Sequence, residues 1–270
     1  MPFEPIYGHH SVQEVVFTLI FQRPFDQKSL QDLQAAHSEW KAELPKIEIP
    51  QIFHFSIGPF DSAEQAAQSG IAFQSFKRDG SIDWRLLANM QTLVVNCATY
   101  TRWADVWGRA RNLLASSAKH LARSGNVVAS ISLQYIDTFK WNGSAKSYSI
   151  DNLIRRDSRY FPEALWDANN SPLWHLHQGS FRSKELAIGG KLLDRMHIDA
   201  TEEDGTSIVR FDSLLRLDAF QPAAYMRLFG PVDGKIDNLM NELHAINKSS
   251  ILGYLVDSMA EQIGMRRSVV

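Results

Sequence analysis

The chain has only one cysteine, Cys97, among its 270 residues. A single thiol cannot form an internal disulfide, and its place in the apolar segment LVVNCA is typical of a small buried side chain. The chain also lacks a large excess of charge of either sign, because it contains 28 Lys and Arg residues and 30 Asp and Glu residues. This balance excludes a broad basic field that would draw the protein to nucleic acid or anionic lipid, although it leaves a local patch open.

Long apolar runs are absent as well. No run approaches the roughly 18 uninterrupted apolar residues that a membrane-spanning helix requires. The opening residues MPFEPIYGHH have neither the basic segment nor the apolar stretch of a signal peptide. We therefore expect no transmembrane segment and a cytoplasmic location.

Signatures of common catalytic and cofactor sites are missing too. GGK at 189–191 lacks the upstream glycine and the following Ser or Thr of a phosphate-binding loop. There is no GxGxxG, GxSxG, HExxH or CxxC motif, and DATEEDGTS places its glycine one position too late for a calcium loop. We expect no cofactor and no resident metal, and we favour a protein without catalytic activity.

What is present, 44% hydrophobic and 21% charged residues, indicates a globular chain, and its apolar periodicity predicts an α+β fold. The Asp79-Gly80 pair between apolar runs indicates a β-hairpin. The predicted elements of the first half are a strand at 14–22, a helix from the N-cap Asp26 to Pro45, strands at 51–58, 70–77, 81–87 and 92–98, and a helix from Trp103.

The second half follows a similar order. A strand is predicted at 128–141, SIDNLIRR is expected to open a helix, and Asp204-Gly205 predicts a second hairpin. A long helical region closes the chain, with Ser249 or Ser250 as the expected cap of a new helix within it.

This order suggests a tandem duplication of a strand–helix–antiparallel strands–helix unit. The halves would be residues 1–125 and 126–270, joined at Gly125-Asn126. Antiparallel sheet with helices on one face is the expected architecture, and it resembles the TATA-binding protein or a sheet gripping a helix. Chance similarity is the alternative, because hairpins and amphipathic helices are common in α+β domains.

Register around Asp204-Gly205 predicts which side chains share a face. Counting outward pairs Glu203 with Thr206, Asp199 with Arg210 and His197 with Asp212. Ile198 and Phe211 would lie together on the opposite, apolar face. The interpretation of the polar side that assigns it no function is a solvated sheet surface with scattered ion pairs.

His175 and His177, in the segment WHLHQ, depend on a further turn expected near Arg182-Ser183. An unbroken ladder would point both histidines into the core, whereas a one-residue bulge at Gly189-Gly190 would place them outside. We favour the bulge because burying Trp174 and Leu176 stabilises more than burying two imidazoles. The candidate residues for binding an anion or a partner are His175, His177, Lys191, Arg195, His197 and Arg210.

Two other functions compete with simple binding. A metal-dependent hydrolase could use His175, His177 and His197, but Lys191 and Arg195 would repel a dication. A lipid or another small apolar ligand could occupy a cavity between sheet and helix, for which the aromatic residues are suitable.

The segments VQEVVFTLIFQ, LVVNCATYTRWADVW, SISLQYIDTF and LHAINKSSILGYLVDSM resemble a sporadically distributed, uncharacterised bacterial family of similar length. The resemblance spans nearly the whole chain and implies no activity. Its patchy occurrence is similar to that of defence-island genes and implies a role in antiphage defence. Together these observations favour a non-catalytic binding or sensing component. Its expected partner is another protein, encoded nearby, or a second copy of this chain in a homodimer. Nucleic acid is a disfavoured partner because the predicted polar face mixes acids with bases.

Overall fold

A computed structural model describes residues 2–49, 70–166, 171–232 and 234–265. The strands are β1 (Phe3–Pro5), β2 (Val12–Phe21), β3 (Lys46–Glu48), β4 (Gly70–Phe76), β5 (Ile82–Asn89), β6 (Thr92–Cys97), β7 (Val128–Trp141), β8 (Trp174–Glu185), β9 (Gly189–Glu203) and β10 (Thr206–Ala223). The helices are α1 (Gln27–Ala35), α2 (Trp103–Leu121), α3 (Glu163–Trp166), α4 (Tyr225–Phe229), α5 (Ile236–Leu252) and α6 (Asp257–Gln262).

All described strands belong to one sheet, and every pairing in it is antiparallel. The strand order is β3-β4-β5-β6-β2-β7-β10-β9-β8, with β1 pairing the end of β7. The first long strand of each half, β2 or β7, lies at the centre beside the other, and the later strands of each half follow outward in reverse chain order. The predicted antiparallel sheet is therefore confirmed, and it is continuous across the expected boundary at residue 125.

Both predicted hairpins form. In the second, Asp204 and Gly205 have φ angles of 51° and 75°, the left-handed backbone that a two-residue hairpin turn requires. In the first, residues 77–81 connect β4 to β5 and Gly80 has a φ of 83°. The Asp79 carboxylate accepts hydrogen bonds from the Ser81 backbone at 2.9 Å and from its hydroxyl. Turn chemistry thus fixes the register of both ribbons.

One face of the sheet is apolar and covered by helices. Alternate residues of β2, such as Phe17 and Leu19, are fully buried there, and β7 and β10 contribute residues such as Leu133 and Leu215. The six described helices pack their apolar side chains into the two clusters on this face. Burying a large aliphatic or aromatic side chain contributes about 1.5–3 kcal/mol, so this layer accounts for most of the stability.

A polar seam crosses the covered face between these two apolar clusters. Ser11 donates a hydrogen bond to the buried Asp137 carboxylate at 2.6 Å, and Asn247 donates one to Ser213 at 2.7 Å. Burial raises the pKa of Asp137 to about 6. The seam therefore contains a carboxylate whose charged form is disfavoured by its surroundings.

Several predicted helix boundaries are wrong. α1 ends at Ala35 and continues only as a 3-10 turn. SIDNLIRR forms a 3-10 turn at Ile150–Asn152 and no α-helix, because Ile154 bridges Leu255 in extended conformation and Leu153 accepts a backbone hydrogen bond from residue 256. The strand predicted at 51–58 lies outside the described residues.

The closing helical region also breaks later than predicted. Neither Ser249 nor Ser250 caps a new helix, because α5 runs on to Leu252. The break comes at Gly253, where a β-carbon would lie 2.6 Å from the Tyr160 ring. None of the described helices combines the length and the apolar composition needed to cross a membrane.

Candidate functional site

We call the side of the sheet opposite the helices the open face. Exposure alternates along β10, where Phe211 is fully buried and the neighbouring Asp212 side chain is 27% exposed. The expected division into one apolar and one polar face is confirmed at these two residues. Polar side chains of β8, β9 and β10 are therefore positioned together by strand pairing.

The predicted register of the β9–β10 ribbon is confirmed. Glu203 pairs with Thr206, Asp199 with Arg210, and His197 with Asp212. Because paired residues of antiparallel strands share a face, the structure places this polar group on the open face.

The open face also carries His175 and His177, but the predicted cause is wrong. Residues 186–188 connect β8 to β9, not Arg182-Ser183, and the ladder from Gly189 to Ala200 runs without a register shift. Gly190 lies close to β10, where a β-carbon would meet the Asp218 carbonyl oxygen at 2.6 Å. The paired glycines therefore permit a close approach of two strands and do not form a bulge.

The histidines meet residues of the neighbouring strand. His175 pairs with Asp199, and His177 pairs with His197 at a ring-centroid distance of 5.2 Å. His197 Nε2 lies 3.2 Å from the Asp199 carboxylate. The described residues contain no group of three His, Cys, Asp or Glu side chains that could hold a metal ion.

The other candidate cations of the open face already have partners. Arg195 contacts both oxygens of Asp212 at 2.9 Å, and Arg210 contacts Glu203 at 3.2 Å. Lys191 Nζ lies 5.0 Å from the centre of the Phe181 ring. The six candidate residues share one surface, but they do not converge on a single point.

Polar pairing continues across the rest of the open face. Gln134 donates to Asp212 at 2.7 Å and Asn96 donates to Glu14 at 2.6 Å. Gln74 donates to Glu48 at 2.8 Å, but Gln74 itself is buried. Asp212, Glu14 and Glu48 therefore each have a donor on an adjacent strand. The result is a wide surface with little net charge, on which ligand charges would have to replace existing pairs.

Sequence reasoning missed a second site on the other side of the β8–β9 hairpin. A cleft of about 500 Å³ lies between β8, β9, the end of α5 and the loop at 159–160. Its cations are Arg159, Arg182 and Lys184. The alternation of polar residues from Gln178 to Lys184 was the available signal, but the loop and the helix end meet β8 only in the folded chain.

Comparison of the chain with protein-family models and with curated proteins gives no match. The class that the structure itself defines is an α+β protein with helices on one face of a large antiparallel sheet.

Proposed function

We propose that this chain is a non-catalytic binding component whose open face docks a partner protein. The observation that carries the proposal is the charge-paired surface formed by β8, β9, β10 and their neighbours, against which none of the described helices packs. Large exposed surfaces with interspersed acids and bases suit another protein of mixed charge, since charge pairs fix register and suppress wrong partners.

Nucleic acid is a poor fit to this surface. A sheet that binds DNA or RNA needs cations free to contact phosphates, and phosphate contacts dominate such affinity. Here Arg195 and Arg210 contact Asp212 and Glu203, so binding phosphate would separate these carboxylates from their cationic partners. We expect no binding to random duplex DNA at 150 mM salt.

The exposed ring of Phe181 provides a specific point for contact. Its exposure is 53%, and it lies on the open face beside Lys191. Aromatic residues that lose water on binding contribute strongly to protein–protein affinity. Met226 in α4, with 61% exposure, is a matched exposed apolar residue away from this strand.

A photocrosslinking amino acid placed at position 181 or 226 in the native host tests the proposal. We expect position 181, and not position 226, to give an adduct with one other protein, which is then purified for a binary titration. Phe181→Ala should weaken that binding at least about tenfold, or about 1.4 kcal/mol. No adduct at 181, equal adducts at both positions, or a crosslinked dimer of this chain would overturn the proposal.

A tandem duplication of residues 1–125 and 126–270 belongs to the same proposal. The matching outward order of the strands around β2 and β7 supports it, and the order is compatible with a TATA-binding-protein-like plan. The alternative helix-grip plan requires a single helix gripped by the sheet, whereas both α2 and α5 pack on this sheet. We therefore prefer the duplicated plan as the working topology.

The cellular role that we propose is antiphage defence, which rests on the family resemblance described above. Deleting the gene in its native host should raise the plating efficiency of at least one phage in a broad panel. Restoring the wild-type gene should reverse the effect, and the Phe181→Ala variant should not. Unchanged plating across the panel would remove the defence role and leave the binding surface to be tested separately.

A further inference from the structure

The cleft behind the β8–β9 hairpin has the form of a ligand site. Its volume of about 500 Å³ falls within the roughly 300–1,000 Å³ of typical small-molecule pockets. One wall comes from β8 and β9 of the sheet, and the opposite wall comes from Ile246, Ser249 and Ser250 at the end of α5. Tyr160 and Tyr254 complete the lining.

Positive charge in the cleft is not balanced internally. Three cations, Arg159, Arg182 and Lys184, line it together with one carboxylate, Asp194. Arg182 contacts Asp194 at 2.8 Å. The charge of Lys184 also acts on Asp194, although no described carboxylate lies within 4.0 Å of Lys184 or Arg159. The three lining cations and one lining carboxylate therefore leave an excess of about two positive charges.

The neutral groups of the cleft divide into polar and apolar sets. Ser180, Ser249 and Ser250 offer hydroxyl groups that can donate to an anion, whereas Met196 and Ile246 form an apolar part of the wall. The Arg159 guanidinium lies 4.9 Å from the centre of the Tyr160 ring. A ligand that fits this lining carries negative charge together with a less polar part.

Local contacts hold the cleft in shape before any ligand arrives. Ser158 donates to the Gly253 carbonyl at 2.8 Å, and the absence of a side chain at Gly253 lets the Tyr160 ring pack against it. Gln178 donates a hydrogen bond to the Tyr254 hydroxyl across the floor. Such preorganisation lowers the entropic cost of binding.

We propose that this cleft binds a phosphate-bearing small organic molecule. Planar guanidinium groups and a lysine provide charge-assisted hydrogen bonds to phosphate oxygens, and the serines can complete the set. A bare phosphate would fill only a small part of the volume, which leaves room for an organic body against Met196 and Ile246. This site is separate from the open face and does not depend on the partner proposed there.

Titration calorimetry of the purified chain with inorganic phosphate, pyrophosphate and AMP tests the proposal. Adenosine is the control that lacks a phosphate group. Citrate is the control that carries negative charge on carboxylates instead of phosphate. We expect at least one phosphate-bearing probe to bind, with citrate and adenosine at least about tenfold weaker. Lys184→Ala and Arg159→Ala should each weaken that binding about tenfold.

Lys191→Ala is the matched control, because Lys191 lies on the same hairpin but points to the open face. It should leave the affinity unchanged. Absence of binding by all three phosphate-bearing probes would overturn the proposal, as would equal binding of citrate. Retained affinity in both cleft variants, or an equal loss in the Lys191 variant, would overturn it too. Thermal unfolding of each variant identifies any that fails to fold, and Arg159→Lys then replaces Arg159→Ala.

Discussion

The two sides of the β8–β9 hairpin differ in how their charges are arranged. On the open face, Arg195 is paired with Asp212 on the next strand. On the cleft side, three cations share one carboxylate among the described lining residues: Asp194 contacts Arg182 and also interacts with the charge of Lys184. The strand thus presents a nearly neutral surface on one side and a positive concave surface on the other.

Arginine and lysine side chains therefore serve different purposes on the two sides of the hairpin. Paired cations on a flat surface give specificity toward another protein, whereas unpaired cations in a concave site attract a small anion. Strand alternation separates the two sets by one residue, as His177 and Gln178 show.

The covered face should be the most sensitive to mutation. Phe211 is fully buried against Phe139 and Tyr254. We expect Phe211→Ala to lower the free energy of unfolding by about 3–5 kcal/mol, measured by urea denaturation. Phe211→Leu should cost less than about 1.5 kcal/mol, and a loss of that size or smaller in the alanine variant would contradict the burial of this side chain.

Asp137 should make stability depend on pH in the opposite sense to most carboxylates. Its folded-state pKa of about 6 lies above the ordinary value of 3.8, so the folded state binds a proton more tightly than the unfolded state does. The stability contribution is greatest below pH 3.8 and is lost as pH rises through 6. Relative to Asp137→Asn, the wild type should lose on the order of 2–3 kcal/mol between pH 4 and pH 7.

The Asp137→Asn variant keeps an oxygen that can accept the hydrogen bond from Ser11. The comparison of unfolding free energies at pH 4 and pH 7 therefore isolates the charge. Parallel pH profiles for the two proteins would contradict the raised pKa.

Pairs on the open face should contribute much less to stability. Asp212→Asn removes the charge that faces Arg195 but keeps an acceptor for Gln134. Since both side chains are about one quarter exposed, we expect a loss of about 0.2–1 kcal/mol in urea denaturation at low salt. The loss should shrink in 1 M NaCl, and a salt-independent loss of several kcal/mol would be inconsistent with a partly solvated pair.

The smallest change in stability is expected in the cleft. Lys184→Ala removes a cation that has no ion-pair partner among the described residues, so the free energy of unfolding should stay within about 0.5 kcal/mol of the wild type. Thermal and urea unfolding measure this directly. A loss above about 1 kcal/mol would assign Lys184 a structural role that its contacts do not explain.

Much of the sheet could be predicted from sequence because local chemistry determines it. A two-residue turn at Asp204-Gly205 fixes pairing by simple counting, and this reached His197 and Asp212 correctly. The connection between β8 and β9 could not be placed in the same way, since residues 186–188 have no comparable turn signal. The outward position of His177 was therefore right, whereas the bulge invoked for it was wrong.

The cleft was beyond sequence reasoning for a different reason. Arg159 and Tyr160 follow the segment SIDNLIRR, which is predicted to open a helix, and they reach the end of α5 through the contact of Ser158 with Gly253. Such contacts join residues about 95 positions apart. Only the folded arrangement brings that loop, α5 and β8 around one space.

Thiol labelling of two single substitutions on β8 tests the separation of the two surfaces most directly. Cys97 is fully buried, and burial raises its pKa to about 11, so the native thiol gives little background. With saturating AMP, or with whichever phosphate-bearing probe calorimetry shows to bind, labelling of Ser180→Cys in the cleft should slow while labelling of His177→Cys on the open face keeps its rate. Equal slowing at both positions, slowing at 177 only, or no slowing at 180 would contradict a separate phosphate-binding cleft behind a partner-binding face.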